Sequence, residues 1–233
     1  MPAPAKVLVP CPHCGARQAE SPAAISTVCR KCGGYFQLHE AFSPPVKTSA
    51  RTPPSRRVAC FDCGTELEVA VSAESTMCKR CSRYVDLHDY RIARAISKNF
   101  KTKGRFVIDA KGYVFNSEAT VGDAVIKGRF LGKLVAERSL TIHSTADIKG
   151  TFTAGCLIIP LTTHFHWKGK VNVGSAEIAG ELNADLQAEG TIILKSSARL
   201  FGDVEAGNLV VEEGAVVVGN ARIGLKAFQL NGV

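Results

Sequence analysis

The stretch LKSSARLFGDVEAGNLVVEEGAVVVGNARI, from Leu194 to Ile223, decides the fold of the second half of this chain. Its aliphatic and β-branched residues form short runs, and Gly, Asn, Asp or Ser separates each run from the next. Runs of this kind favour short strands, and the stretch lacks the sustained 3.6-residue period of a helix. It therefore predicts a series of short strands joined by tight turns.

Equivalent runs begin at about residue 105, among them RFVID, AVIKG, SLTIH and CLIIP. Short, evenly spaced strands are compatible with a sandwich, a barrel or a parallel β-helix. Between these strands there is no Asn-Gly or Asp-Gly pair, which weakens the antiparallel alternatives. Repeating turns with apolar residues at similar positions favour a parallel β-helix, in which stacked coils share one core.

A glycine flanked by apolar residues recurs through the same region. The copies are IKGRF (126–130), IKGTF (148–152), WKGKV (167–171), IAGEL (178–182) and LFGDV (200–204). The intervals between their glycines are 22, 19, 11 and 22 residues, and Gly219 follows 17 residues later. The spacing is irregular, and we interpret it as a coil of short strands. The segment LTTHFHWKG, 161–169, is expected to lengthen one coil and protrude as a loop.

The stretch Leu194–Ile223 resembles the bactofilins, a bacterial family of polymer-forming cytoskeletal proteins. The likeness rests on LKS, on A-x-h-x-G-D (h, hydrophobic) in ARLFGD, on LVVEEGA and on a closing h-x-G. It extends more weakly back to about residue 105 and does not include the cysteine-rich first part. The resemblance implies a right-handed parallel β-helix that assembles into filaments without nucleotide, by stacking of its ends. It also implies a scaffold that localises other proteins.

Each end of a β-helix presents free strand edges and an uncovered core, and solenoids normally need caps to stay soluble. After Ile223 the chain continues only as GLKAFQLNGV, which has no pattern of a capping helix. Two interpretations remain open. Leu225, Phe228 and Leu230 form the polymer contact, or this tail folds over the last coil as a cap.

The first 81 residues contain eight of the nine cysteines, in two copies of C-x2-C, fourteen residues and C-x2-C. This is the spacing of a zinc ribbon. The sequence therefore predicts two structural Zn(II) ions per chain, one held by Cys11, Cys14, Cys29 and Cys32 and one by Cys60, Cys63, Cys78 and Cys81. Further identities recur at the same offset of 49 residues, which indicates duplication of a whole module: Val9 and Val58, Tyr35 and Tyr84, Leu38 and Leu87, His39 and His88.

A module of under forty residues buries too little apolar area to fold alone, and a structural metal supplies about 10 kcal/mol or more. Iron in a rubredoxin-like site is the alternative metal. The repeated His39 and His88 are expected to pack or to donate hydrogen bonds, because each ion already has four thiolates. Four thiolates around Zn(II) leave a charge of −2, which the cations inside the knuckles can offset: Arg30, Lys31, Lys79 and Arg80.

The positive charge is concentrated in the first part of the chain. Residues 1–104 hold 16 Lys and Arg against 8 Asp and Glu, whereas residues 105–233 hold 13 of each. Such asymmetry favours nucleic acid or an anionic membrane surface as a partner. No apolar run approaches the roughly 18 residues of a membrane span, and the first residues lack the apolar core of a secretory signal. We therefore expect a cytoplasmic protein, with membrane-associated filaments as an alternative.

The sequence divides into six segments. They are zinc ribbon 1 (6–42), a Pro-rich linker (43–57), zinc ribbon 2 (58–90), a basic connector (91–104), the β-helix (105–225) and a C-terminal tail (226–233). In the connector, Ile92, Ile96 and Phe100 are spaced by four residues, as on one face of a helix. We expect a short basic helix here that packs on the first coil or touches membrane or phosphate.

No residues suggest catalysis. P-loop and G-x-G-x-x-G patterns are absent, the six-residue repeat of β-helical acyltransferases is missing, and His143, His164 and His166 have no paired nucleophile motif. The leading hypothesis is a cytoplasmic homopolymer that acts as a scaffold and has no small-molecule substrate, with zinc ribbons that recruit a protein or nucleic acid. The alternative is a zinc-dependent nucleic-acid-binding protein that its β-helix oligomerises.

Overall fold

The computed structural model describes residues 6–38 and 54–224. Residues 1–53 and 54–233 form two compact units, and each is considered by itself. The boundary falls inside the predicted linker, of which residues 43–53 lie outside the described ranges.

The first unit contains two antiparallel hairpins. Strand β1 (Val7–Pro10) pairs with β2 (Arg17–Glu20), and β3 (Ser26–Val28) pairs with β4 (Tyr35–Gln37). In each hairpin a C-x2-C turn follows the first strand, so the turns of the two hairpins can face each other. The small core consists of Val9, Cys11, Cys29, Phe36 and Leu38.

The second unit begins with the same arrangement. Strand β5 (Ser55–Ala59) pairs with β6 (Glu66–Ala70), and β7 (Ser75–Met77) pairs with β8 (Tyr84–Asp86), both antiparallel. Its core also holds one cysteine from each turn, Cys60 and Cys78, together with Val58, Leu67, Val69, Val85 and Leu87. The duplication predicted from the sequence is therefore a duplication of structure.

The rest of the second unit is a parallel β-solenoid of about eight turns. Its strands are β9 (Tyr90–Ile92), β10 (Ala95–Ile96), β11 (Phe100–Ile108), β12 (Tyr113–Ile126), β13 (Arg129–Ile142), β14 (Asp147–Ile159), β15 (His164–Ile178), β16 (Glu181–Leu194), β17 (Arg199–Phe201), β18 (Val204–Val211), β19 (Val216–Val218) and β20 (Ala221–Ile223). The pairs between them are parallel, which confirms the predicted fold class.

Corresponding residues of successive coils stack in columns, and the clearest column closes one face of the solenoid. We call it the isoleucine ladder: Ile92, Ile108, Ile126, Ile142, Ile159, Ile178, Leu194 and Val211. Each member is the last residue of its strand, and all but Val211 are buried. The rung spacing varies, for example from 16 residues between Ile92 and Ile108 to 19 between Ile159 and Ile178. This ladder gives the true coil length.

The irregular glycine spacing arises because the motif mixes two corners of the coil. Gly128 and Gly180 lie in the turns that follow ladder residues. In contrast, Gly150, Gly169 and Gly202 occupy another corner, with φ of 117°, 111° and 132° that favours glycine. At Gly150 a Cβ atom would lie 2.1 Å from the carbonyl oxygen of Gly132 in the preceding coil. Glycine therefore allows the coils to approach at this corner.

The helix expected in the connector is wrong, because residues 91–104 contribute to β9, β10 and β11. Ile92, Ile96 and Phe100 come from three successive strand segments and all join the solenoid core. A corner between each pair of segments produces the same spacing of four as a helical face. The solenoid thus begins at Tyr90 rather than near residue 105.

The loop expected at 161–169 is also wrong. Strand β15 starts at His164, and its register with β16 shifts between His166 and Lys170, so the extra residues form a bulge. Trp167 packs from this bulge onto Phe152, with ring centroids 4.7 Å apart. The extra residues lengthen this coil, and the Trp167 side chain packs against the core.

Candidate metal centres and solenoid ends

In each ribbon the four cysteine sulfur atoms lie within 4.8 Å of one another. Two sulfur atoms are 3.8 Å apart in Cys11–Cys32, 3.6 Å in Cys14–Cys29, 3.6 Å in Cys60–Cys81 and 3.5 Å in Cys63–Cys78. A disulfide needs about 2.05 Å, whereas a tetrahedron with Zn–S bonds of about 2.3 Å has edges of about 3.8 Å. Each set of thiolates could therefore hold a tetrahedral metal ion.

All four C-x2-C turns have the same backbone geometry. The residue after the second cysteine has positive φ, and its N–H donates to the carbonyl of the first cysteine, at 2.8–3.1 Å. Three of these residues are Gly15, Gly33 and Gly64, which accept positive φ without strain. The fourth, Ser82, adopts the same conformation with φ of 55°. Ser82 therefore preserves the turn although it lacks the freedom of glycine.

Backbone N–H groups favour the charged form of Cys29 and Cys60. The N–H of Cys32 and then that of Lys31, which lies 3.4 Å from the Cys29 sulfur, lower the pKa of Cys29 to about 6. In ribbon 2 the N–H groups of Cys63 and then Asp62 lower the pKa of Cys60. Hydrogen bonds to a thiolate stabilise it, and the thiolate is the form that binds a metal.

The histidines of the ribbons do not belong to the sulfur sets. His13 lies in the first knuckle, with its Nε2 3.3 Å from the carbonyl oxygen of Tyr35. His88 faces Glu74 at 3.9 Å and packs edge-on against Tyr90. His39 lies outside the described residues. Within 6–38 and 54–224, the two cysteine sets are the groups of three or more side chains positioned to bind a metal.

Ribbon 2 contacts the first coil of the solenoid, which sequence reasoning missed. The buried Thr102 hydroxyl donates to the carbonyl of His88 at 2.8 Å, and the N–H of Arg105 donates to Asp89 at 2.6 Å. The Tyr90 hydroxyl donates to Asp86 in β8 at 2.7 Å, which raises the pKa of Tyr90 to about 12. The end of ribbon 2 therefore runs beside the start of β11.

A buried lysine joins the knuckle of ribbon 2 to the solenoid. The Lys103 side chain is only 5% exposed, and its Nζ lies 3.9 Å from the ring centroid of Phe61. The same ammonium forms an ion pair with Glu137, two coils further on. Beside it, Lys101 pairs with Asp62 at 3.6 Å. Phe61 and Asp62 are the two residues between Cys60 and Cys63, so this knuckle carries the contact.

Aromatic side chains fill the interior at the N-terminal end of the solenoid. The ring of Phe100 lies 5.3 Å from Tyr90 and 4.8 Å from Phe106. The Lys98 ammonium lies 5.7 Å from the rings of both Tyr90 and Phe100. Cation–π contacts of this kind stabilise a charge over an aromatic surface. The core is filled here, but β9 pairs with β11 alone and β10 with β12 alone within the described ranges, so each of these strands has a free edge.

At the C-terminal end, two core columns finish at residues that are open to solvent. Val211 and Ile223 are 48% and 47% exposed, whereas Val218, 53% exposed, ends the outward-facing column of His166, Asn183 and Phe201. Within the described ranges, β19 pairs with β17 alone and β20 with β18 alone, so each has one free edge. The predicted contact residues Leu225, Phe228 and Leu230 lie outside the described residues.

The histidines of the solenoid are spread along it. Burial and then the nearby Lys127 lower the pKa of His143, whereas His164 is exposed and faces Glu181 at 3.4 Å. His166 lies on β15 next to the bulge. Cys156 is half-buried and lies opposite Ser139 and Ser175. These groups do not converge on a common site in the part of the chain that the structure describes.

The fold defines a parallel β-solenoid protein that carries two four-cysteine ribbons. The model of the bactofilin family, described as polymer-forming cytoskeletal, matches residues 84–166 and 162–222. These matches cover more than half of the chain, and the chain belongs to the bactofilin family. Comparison with curated proteins gave no match, and comparison with solved structures gave none either. Among the described residues no helix is long and apolar enough to cross a membrane.

Proposed function

We propose that this protein is a cytoplasmic scaffold that polymerises without nucleotide by end-to-end stacking of its β-solenoid. The observation that carries the proposal is the open core of the last coil, in a chain of a polymer-forming family. Burying exposed Val and Ile side chains and pairing free strand edges both favour assembly. The sequence also lacks a P-loop, which supports independence from nucleotide.

Negative-stain microscopy of the full chain tests this proposal, with no nucleotide and with two samples, one zinc-loaded and one treated with chelator. Ordered filaments in at least one sample are expected. Uniform single chains in both samples, at the highest soluble concentration, would contradict polymer formation. If the tail carries the contact, Phe228→Arg abolishes assembly, because it places a charge where an apolar side chain is buried. Unchanged filaments would remove Phe228 from the contact.

The second part of the proposal is that each cysteine set holds one structural Zn(II). Support comes from sulfur separations that match a zinc tetrahedron and from the small size of the ribbon cores. The eight cysteines would supply the ligands, and the bound ion would hold the two knuckles of a ribbon together. Elemental analysis should give two Zn per chain, whereas a red protein that contains iron would overturn the choice of metal.

The third part is that the ribbons recruit a partner. Each ribbon exposes one apolar cross-strand pair at the same position: Val28 with Tyr35, and Met77 with Tyr84. These side chains are 53%, 62%, 64% and 66% exposed, although other residues shared by the two copies, such as Val9 and Val58, are buried. Exposed aromatic and aliphatic side chains that repeat in both copies favour a binding surface. Two such surfaces per chain, displayed along a polymer, would raise the effective concentration for a repeated partner.

One observation favours the alternative function in nucleic-acid binding. Each exposed tyrosine belongs to a ribbon whose knuckle carries two cations, Arg30 and Lys31 in one and Lys79 and Arg80 in the other. Aromatic rings and cations together bind single-stranded nucleic acid. Affinity for a single-stranded oligonucleotide should then fall steeply with salt, and Tyr35→Ala with Tyr84→Ala should weaken it. No binding at low salt would remove this alternative and leave a protein as the partner. Peripheral contact with a membrane stays a prediction, tested by co-sedimentation with anionic vesicles.

A further inference from the structure

We infer that ribbon 2 is a metal-responsive part of the solenoid. Binding of an ion by its cysteine set stabilises the first coil, which runs from the residue after Ile92 to Ile108. The docked coil in turn raises the affinity of that set for the ion. Zinc binding as proposed above is the premise, and the new element is that one of the two metal sites is linked to the solenoid.

The two residues inside the first knuckle of ribbon 2 face two cations of the first coil. The ammonium groups of Lys103 and Lys101 lie 3.9 Å and 5.0 Å from the centroid of the Phe61 ring. The Asp62 carboxylate lies 3.6 Å from the Lys101 ammonium. An aromatic face and a carboxylate both attract an ammonium group. The knuckle therefore contacts β11 through complementary charge as well as through its ring.

The position of this knuckle depends on the metal ligands on either side of it. Cys60 and Cys63 must both reach one ion, which fixes the loop between them. The Phe61 side chain packs against the small core of ribbon 2. Such a core buries too little apolar area to fold alone, so its folding follows the binding of the ion. Loss of the ion therefore takes the ring and the carboxylate away from β11 together.

Two buried polar groups of the first coil have their partners in ribbon 2. The hydroxyl of Thr102, a residue with 0% exposure, donates to the carbonyl of His88 at 2.8 Å. The Lys103 side chain, 5% exposed, lies between the Phe61 ring and the Glu137 carboxylate. A buried donor without its acceptor and a buried charge without its partner both destabilise a fold. The first coil is therefore less stable when ribbon 2 is not folded.

Linkage of this kind acts in both directions. If the metal-loaded ribbon favours the ordered coil, the ordered coil favours the metal-loaded ribbon by the same factor. Ribbon 1 has Pro12 and His13 at the positions of Phe61 and Asp62, so these positions offer a lysine neither the ring nor the carboxylate. The family match begins at residue 84, so the docking residues of the knuckle lie outside the part that the family model describes.

Competition with a chromophoric chelator tests the effect of the coil on the metal site. In the full chain with Cys14→Ser only ribbon 2 keeps its four cysteines, and in the full chain with Cys63→Ser only ribbon 1 does. Two variants disturb the contact from the solenoid side. Gly104→Ala inserts a methyl group 2.4 Å from the carbonyl oxygen of His88, and Lys103→Glu places a carboxylate beside Glu137.

Each of these variants should lower the zinc affinity of the Cys14→Ser protein about fivefold or more and leave that of the Cys63→Ser protein unchanged. Lys133→Glu replaces an exposed lysine of β13 and is the matched control, which should change neither affinity. Circular dichroism shows whether each variant is folded. If one of the two variants does not fold, the other and the measurement below decide.

Hydrogen exchange tests the effect of the metal on the coil and needs no variant of the solenoid. In the Cys14→Ser protein, removal of zinc should lower the protection of β11 (Phe100–Ile108) and leave that of β16 (Glu181–Leu194) unchanged. In the Cys63→Ser protein, removal of zinc should change neither strand. An equal loss in β11 and β16 would contradict a response of the first coil.

The outcomes separate the linkage from zinc binding itself. If both proteins bind zinc but β11 does not respond to its removal, the inference is wrong and the zinc proposal stands. If β11 responds but the folded docking variants keep full zinc affinity, the contacts named here do not carry the linkage and the inference is again wrong. If neither protein binds zinc, the proposed metal binding fails as well.

Discussion

The stacking of glycines at one corner of the solenoid gives a prediction that a pair of matched variants can test. Gly150 and Gly169 both have positive φ, 117° and 111°. They differ in their surroundings, because a Cβ atom at Gly150 would lie 2.1 Å from the carbonyl oxygen of Gly132, whereas one at Gly169 would have no heavy atom within 4 Å. Replacing each by alanine therefore separates backbone strain from the clash between coils.

The magnitude follows from these two terms. Positive φ costs a non-glycine residue about 1–3 kcal/mol, and both variants share this term. Only Gly150→Ala must also open the corner from 2.1 Å to the 3.4 Å of ordinary contact. Gly150 is paired with Gly132 in the β13–β14 ladder, so the opening strains one or two backbone hydrogen bonds of about 1 kcal/mol each. Gly150→Ala should therefore destabilise the solenoid by about 2 kcal/mol more than Gly169→Ala.

Urea unfolding, followed by circular dichroism at a concentration where the proteins have equal mass, measures the two free energies of unfolding. The order of the variants is the decisive result. Equal losses in stability would mean that strain alone matters and that close approach of the coils at this corner is not required. A larger loss for Gly169→Ala would refute the reasoning outright.

Three further predictions concern the ribbons and the last coil. Cys63→Ser should lower bound zinc from two ions to one per chain in elemental analysis, and two ions would show that three thiolates suffice. In a Cys14→Ser background, Ser82→Gly should raise the zinc affinity of ribbon 2 about threefold in competition with a chelator. Relief of about 1–2 kcal/mol of strain exceeds the entropy cost of glycine, about 0.5–1 kcal/mol. A loss of affinity would contradict this. The N–H and the side-chain amide of Asn220 lower the pKa of Asp203, so the stability that this carboxylate supplies is present above the ordinary pKa of about 4 and is lost as the pH falls. The stability difference between wild type and Asp203→Ala should thus shrink from pH 7 to pH 2, and a constant difference would assign the effect to packing.

The fold class could be predicted from sequence because each coil repeats a short aliphatic run before a tight turn. The phase of the coil could not, because glycine occurs at two corners. The backbone of the preceding coil approaches both Gly128 and Gly150, but only Gly150 also has positive φ. The last residue of each strand, from Ile108 to Leu194, is the more regular signal, since one aliphatic residue per coil must close the core.

The cysteine sets could be predicted because metal ligands are local and their spacing is rigid. The contact of ribbon 2 with the solenoid could not, because it depends on distant residues. The chain between Phe61 and Lys103 contains most of a ribbon, and Glu137 lies still further on. Nothing in the sequence distinguishes the buried Lys103 from the exposed basic residues near it. The spacing of Ile92, Ile96 and Phe100 also suggested a helix that would have separated the two parts.

The two ribbons differ at the positions that dock ribbon 2. Between its first two cysteines, ribbon 1 has Pro12 and His13, where ribbon 2 has Phe61 and Asp62. Proline offers no aromatic ring to a lysine ammonium, and a histidine offers no carboxylate. The four cysteines and the exposed tyrosine are kept in both copies. Duplication therefore supplied two modules with the same cysteine set, and the residues in the first knuckle of ribbon 2 gave that copy its contact with the solenoid.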